Sequence, residues 1–153
     1  MNNSTSYWLK KGIHNGMPIA LGYLAVSFTL GIAAKNAGLT ALQAALASIT
    51  CHASAGEFAG FTLIAALAAY TEIAVMELII NARYFLMSCA LSQKLDNKMP
   101  FFHRLIMGLF VTDEIFGLTV SVPEKLNPAY MYGMVLVASP AWVLGTYFGV
   151  LFG

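Results

Sequence analysis

Five charged residues sit where the surrounding sequence is oily: Glu57, Glu77, Arg83, Asp113 and Glu114. At the centre of a membrane helix each would cost about 2.5–3.5 kcal/mol, and such residues face a protein interior or a pathway. Four acids against one base would leave an interior of net −3 if all were ionised. That balance asks for protonation, another subunit's cation or a substrate ammonium. Arg83 is central in one apolar block and Asp113 near the middle of the next, so depth alone makes them partners. Their pair either fastens two helices or opens to a substrate. Glu77, Asn81, Tyr84 and Ser88 follow i, i+4, i+7 and i+11, which puts them on one helix face. Such a stripe lines a cavity or glues two helices by hydrogen bonds.

Glu57 poses a sharper problem, because no other residue from Asn36 to Thr71 carries a formal charge. A helix through this stretch would reach about 54 Å, against a bilayer core of about 30 Å. The stretch must break. Ser54-Ala55-Gly56-Glu57 has the form of a capping box, serine as N-cap and glutamate three residues on, so a second helix is expected to start there. Glu57 is then either the reciprocal half of that cap or a group beside the positive end of a half-helix, holding a proton or a substrate ammonium. His52, next to the break, is a proton relay or a packing residue. His14 and His103 fall near block edges.

These residues are carried by five apolar blocks: Gly12–Ala34, Asn36–Thr71 broken near 53–56, Ile73–Gln93, Phe101–Val122 and Ala129–Gly153. The chain of 153 residues is 59% hydrophobic and 10% charged, with a mean hydropathy of +0.73. A soluble domain carries about 25% charged residues, so the fold class is an all-α polytopic membrane protein with a broken or re-entrant second segment, organised as one transmembrane domain. The first block is too long for a cleaved signal peptide and lacks a cleavage pattern. Pro18, near its start, is placed in a first turn. A net charge of +1 with no basic stripe excludes nucleic acid as partner. Cys51 and Cys89 read as small apolar residues.

The charges also bear on topology. With the N-terminus cytoplasmic and the second block crossing once, three Lys and Arg fall inside and four outside. If the block enters and returns, five fall inside and two (Lys35, Lys125) outside, as the positive-inside rule prefers.

The pattern resembles the AzlC family of branched-chain amino acid permeases. Gly16–Tyr23 (GMPIALGY) is similar to the family's opening G-x-P-x-x-x-G segment, and His52–Phe58 to its small-residue motif. Asn81–Tyr84 is similar to N-x-R-[HY], and Thr112–Phe116 to T-D-E-x-F. His52 and Glu57 stand where that family usually has tyrosine and glutamine. The resemblance implies export of branched-chain amino acids across the bacterial inner membrane with a small hydrophobic AzlD-type partner. Family members continue through further apolar segments, so a fragment or shortened member is expected.

The reading is a transport subunit exporting small apolar amino acids, without cofactor or metal. Ser54, Glu57, Asn81, Arg83, Tyr84 and Asp113 are the substrate-binding candidates. Glu57, Glu77, Asp113, Glu114 and His52 are the proton-coupling candidates. The alternative is a non-transporting assembly subunit. An enzyme is disfavoured, since no H-E-x-x-H or G-x-S-x-G occurs. The imaginable metal ligands would be His52, Glu57 and His103.

Overall fold

Helix α1 (Thr5–Asn36) carries the first apolar block and overruns it at both ends. In this computed structural model, which describes residues 4–153, Pro18 lies well inside α1 rather than in its first turn. The helix starts earlier than the oily run does. It stops at Gly38, whose φ of +81° is the left-handed conformation that glycine adopts without a Cβ penalty.

The second block breaks into α2 (Ala41–Cys51) and α3 (Ser54–Ala65). A capping box is present, but it opens α2. Thr40 Oγ1 accepts from the Gln43 N–H and Gln43 Oε1 accepts from the Thr40 N–H. The expected box at Ser54–Glu57 is not formed. Ala53 is the N-cap of α3 and has no side chain to cap with, while Ser54 is already the first helical residue. Glu57 turns away from its own helix start toward other donors. The break is made by backbone: His52 is left-handed at φ 49° and its N–H closes on Ser48 O, while Ala53 is extended. Leu67, just beyond α3, is also left-handed at φ 55°.

Helix α4 (Tyr70–Ser92) is continuous and puts Arg83 near its middle. The block Phe101–Val122 was expected to be one span. It is two helices, α5 (Phe101–Leu109) and α6 (Asp113–Val120). Thr112 caps α6 by accepting from the Ile115 N–H, and Asp113 and Glu114 occupy the first turn, where the helix dipole favours acids. A cap followed by two acids is a helix start, hidden here within oily sequence. Helix α7 (Pro128–Phe152) completes the chain. Among the described residues, α1, α4 and α7 are the three helices long and apolar enough to cross a membrane. Each half-helix of the broken segments reaches less than about 20 Å.

By its internal packing the chain divides into two compact units. The first holds the chain up to Ile19 and Arg83–Ala138, and the second holds Ala20–Ala82 and Ser139–Gly153. In the first unit, Met107, Val111, Ile115, Met131 and Met134 form a buried core. Here α1 and α7 touch at backbone distance: a Cβ on Gly16 would lie 2.8 Å from the Met134 Cα. In the second unit the same two helices meet through Gly31, Gly145 and Gly149, whose missing side chains leave room for the opposing backbone. Gly22 of α1, by contrast, faces open space. Helices α2 and α3 lie in one unit together with the end of α1 and the start of α4.

Candidate functional site

In the second unit the break between α2 and α3 is closed by a hydrogen-bonded carboxylate. Glu57 is 2% exposed. Its Oε2 lies 2.8 Å from Ser48 Oγ, on the last turns of α2. Its Oε1 accepts from Trp142 Nε1 of α7 at 2.5 Å. Ser48 Oγ is in turn 2.8 Å from Thr146 Oγ1. Tyr23 packs edge-on against Trp142, with ring centroids 5.0 Å apart. His52 Nε2 lies 3.2 Å from Ser139 Oγ. Three helix segments are thus tied to one acid by neutral donors.

A second carboxylate lies close by in the same unit. Glu77 Oε2 accepts from Asn81 Nδ2 at 2.8 Å and lies 3.6 Å from Cys51 Sγ. It packs against Gly56 and Gly60 of α3. A Cβ at Gly56 would come within 2.7 Å of Glu77 Oε2, and one at Gly60 within 3.1 Å of Oε1. Asn81 Oδ1 is buried and accepts no hydrogen bond. The unit contains one basic residue, Lys35, and its ammonium is bonded to the carbonyl of Gly153. Neither carboxylate makes a salt bridge among the described residues. Two acids met by neutral groups suit a group that takes up a proton or a small cation.

In the first unit Arg83 and Asp113 are brought together, with Nη1 to Oδ2 at 2.9 Å. Their side chains remain 43% and 49% exposed. Arg83 Nη2 also donates to Tyr84 OH at 3.2 Å, and the guanidinium lies 5.0 Å from that ring's centre. Asp113 is the first residue of α6, not the middle of a span as the sequence suggested. Glu114 follows it and acts electrostatically on Arg83. His103, the third imagined metal ligand, belongs to this unit and lies against the Tyr132 hydroxyl, apart from the unit of His52 and Glu57.

Of the expected site residues, Asn81, Glu77 and Tyr84 do share the inward face of α4, and Glu57 and His52 do flank a break. Ser54 is exposed and caps nothing. Trp142, which reads from the sequence as an interfacial or packing aromatic, and Ser48 and Thr146 were not among the site candidates. A tryptophan inside an oily helix needs a partner for its indole N–H when buried, and that requirement was the available signal.

Broken half-helices beside three helices long and apolar enough to cross a membrane define a polytopic helical membrane protein. Residues 18–153 match the family described as AzlC protein, and the chain belongs to that family. It is 35% identical over 150 residues to an uncharacterised membrane protein of Archaeoglobus fulgidus, covering 98% of this chain and 65% of that one. It is 22% identical over 147 residues to the inner membrane protein YgaZ of Escherichia coli, covering 94% and 60%. An uncharacterised membrane protein of Helicobacter pylori is 26% identical over 150 residues, covering 94% and 64%. The chain spans less than two thirds of the length of these curated relatives. No solved structure matches.

Proposed function

We propose that this chain is a subunit of a secondary transporter that exports branched-chain or similarly small apolar amino acids across a bacterial inner membrane, working with a small hydrophobic AzlD-type partner. The observation that carries the reading is the Arg83–Asp113 pair, 2.9 Å apart and half exposed at a helix start. Opposite charges at that spacing match a zwitterion, which parts them by placing its carboxylate on Arg83 and its ammonium on Asp113. Tyr84, bonded to Arg83, stands beside the pair to orient the zwitterion. Protons couple to transport through the acids not engaged by the substrate, with Glu57, Glu77 and Glu114 as carriers and His52 beside the break as relay.

Charge asymmetry supports a cytoplasmic N-terminus. If Asn36–Thr71 enters and returns, five Lys and Arg fall on the inner side against two on the outer, as the positive-inside rule prefers.

The test is efflux of valine or leucine from loaded vesicles, with and without the partner. Arg83→Ala and Asp113→Asn should each abolish it. Wild-type rates in both variants would defeat the site, and a chain that moves neither amino acid with its partner present would defeat the function.

A further inference from the structure

Two stretches of this chain, 57 residues apart, read alike. Glu57–Leu63 is EFAGFTL and Glu114–Val120 is EIFGLTV. Glutamate, glycine and threonine coincide, and the other four positions exchange one apolar residue for another. The same offset carries the helices onto each other. Shifted by 57, α2 would begin at 98, where α5 begins at Phe101. On the same shift α3 covers α6, and α4 would begin at 127, where α7 begins at Pro128. The exposed turn residue Leu67, after α3, falls on Glu124, in the turn after α6. Unit membership repeats with the order reversed. The α2–α3 segment shares its unit with the first part of α4, which finishes in the other unit; α5–α6 shares its unit with the first part of α7, which finishes in the unit of α2–α3.

A repeat whose second copy runs the opposite way is the construction of many secondary transporters, where interrupted helices at matching positions mark the binding region. The copies differ in one chemical respect. Glu57 is clasped by Ser48 and Trp142. The positions corresponding to these donors are Leu105 and Phe85, and neither side chain can donate a hydrogen bond. Glu57 is accordingly shut away, while Glu114 stays on the surface beside Arg83.

We propose that residues 41–92 and 98–149 are two copies of one element, a re-entrant broken hairpin followed by a spanning helix, inserted with opposite orientation, and that Glu114 is the second copy of Glu57, taking a small cation (a proton or a primary ammonium) on a hairpin that enters from the other side of the membrane. The role given to Glu114 rests on the transport reading above; the repeat does not.

Two measurements test it. Leu67→Cys and Glu124→Cys, each introduced into full-length chain whose Cys51 and Cys89 have been changed to alanine, are labelled with an impermeant maleimide in sealed vesicles of known orientation. The expected result is labelling from opposite sides. Labelling of both from the same side, as two single crossings would give, overturns the repeat. In leucine efflux, Glu114→Gln and Glu57→Gln should each lower the rate about tenfold or more, on the scale of a lost hydrogen bond to a charged group. Glu72→Gln, at an exposed acid whose counterpart in the second copy is Ala129, should leave the rate unchanged. A wild-type rate in Glu114→Gln beside a loss in Glu57→Gln overturns its assignment. Absence of any efflux from the wild-type chain with its partner sinks the transport reading and Glu114's role together, while the labelling result still decides the repeat.

Discussion

Replacing Trp142 with phenylalanine isolates the bond that closes the α2–α3 break. The indole does two things: its N–H donates to Glu57 Oε1 at 2.5 Å, and its ring packs edge-on against Tyr23 at 5.0 Å and 71°. Phenylalanine keeps an aromatic edge and removes the donor. A hydrogen bond to a charged group contributes about 1.5–3 kcal/mol, or roughly 10- to 150-fold in an equilibrium constant. Ser48 still serves Oε2, so the loss should fall within that range rather than at the larger cost of an orphaned buried carboxylate. The assay is reversible unfolding in mixed micelles followed by far-UV circular dichroism, run as a double-mutant cycle with Glu57→Leu, which removes the acceptor. Trp142→Phe should cost about 1.5–3 kcal/mol in the wild-type background and almost nothing once Glu57 is gone. An equal cost in both backgrounds would show that the indole contributes by packing alone, and the clasp argument would be refuted.

Gly149→Ala should destabilise the contact of α1 with α7 by about 1–3 kcal/mol or more, the range for overpacking, because the new methyl meets Gly31 Cα at 2.8 Å and backbone cannot swing aside. Gly22→Ala, facing open space, should be neutral or gain up to about 0.8 kcal/mol of helix propensity; the same unfolding titration separates them. Thr112→Ala removes the cap of α6 and should cost about 0.5–2 kcal/mol, whereas Ser54→Ala, which removes no cap, should be silent. Equal losses at the two positions would restore the capping box that the structure does not form. Asn81→Leu strips Glu77 of its amide donor and should lower stability by about 1.5–3 kcal/mol if that carboxylate is charged, read in the same titration. A gain in stability would mean that the Asn81–Glu77 contact is not a favourable one.

The helical membrane class was written in the sequence because it depends on totals: too few charged residues to cover a globule, and apolar blocks of spanning length. The break at His52–Ala53 was legible for a related reason, since no single helix of that length fits a bilayer. The stripe Glu77–Asn81–Tyr84 followed from helical period alone; the Arg83–Asp113 pair was expected from depth, and it forms with Asp113 at a helix start instead of mid-span. What the sequence left open was how local signals rank when several compete. Ser54-x-x-Glu57 and Thr40-x-x-Gln43 both spell a capping box, and only the second is formed, because Ser48 and Trp142 offer Glu57 better partners than its own backbone does. Thr112-Asp113-Glu114 was a genuine start signal concealed by apolar neighbours. Trp142, 85 residues from Glu57 along the chain, could be joined to it only by folding. Local rules decide where a helix can begin; tertiary structure decides which side chains are free to take part, because a buried acid goes to whichever donors the packing brings within reach.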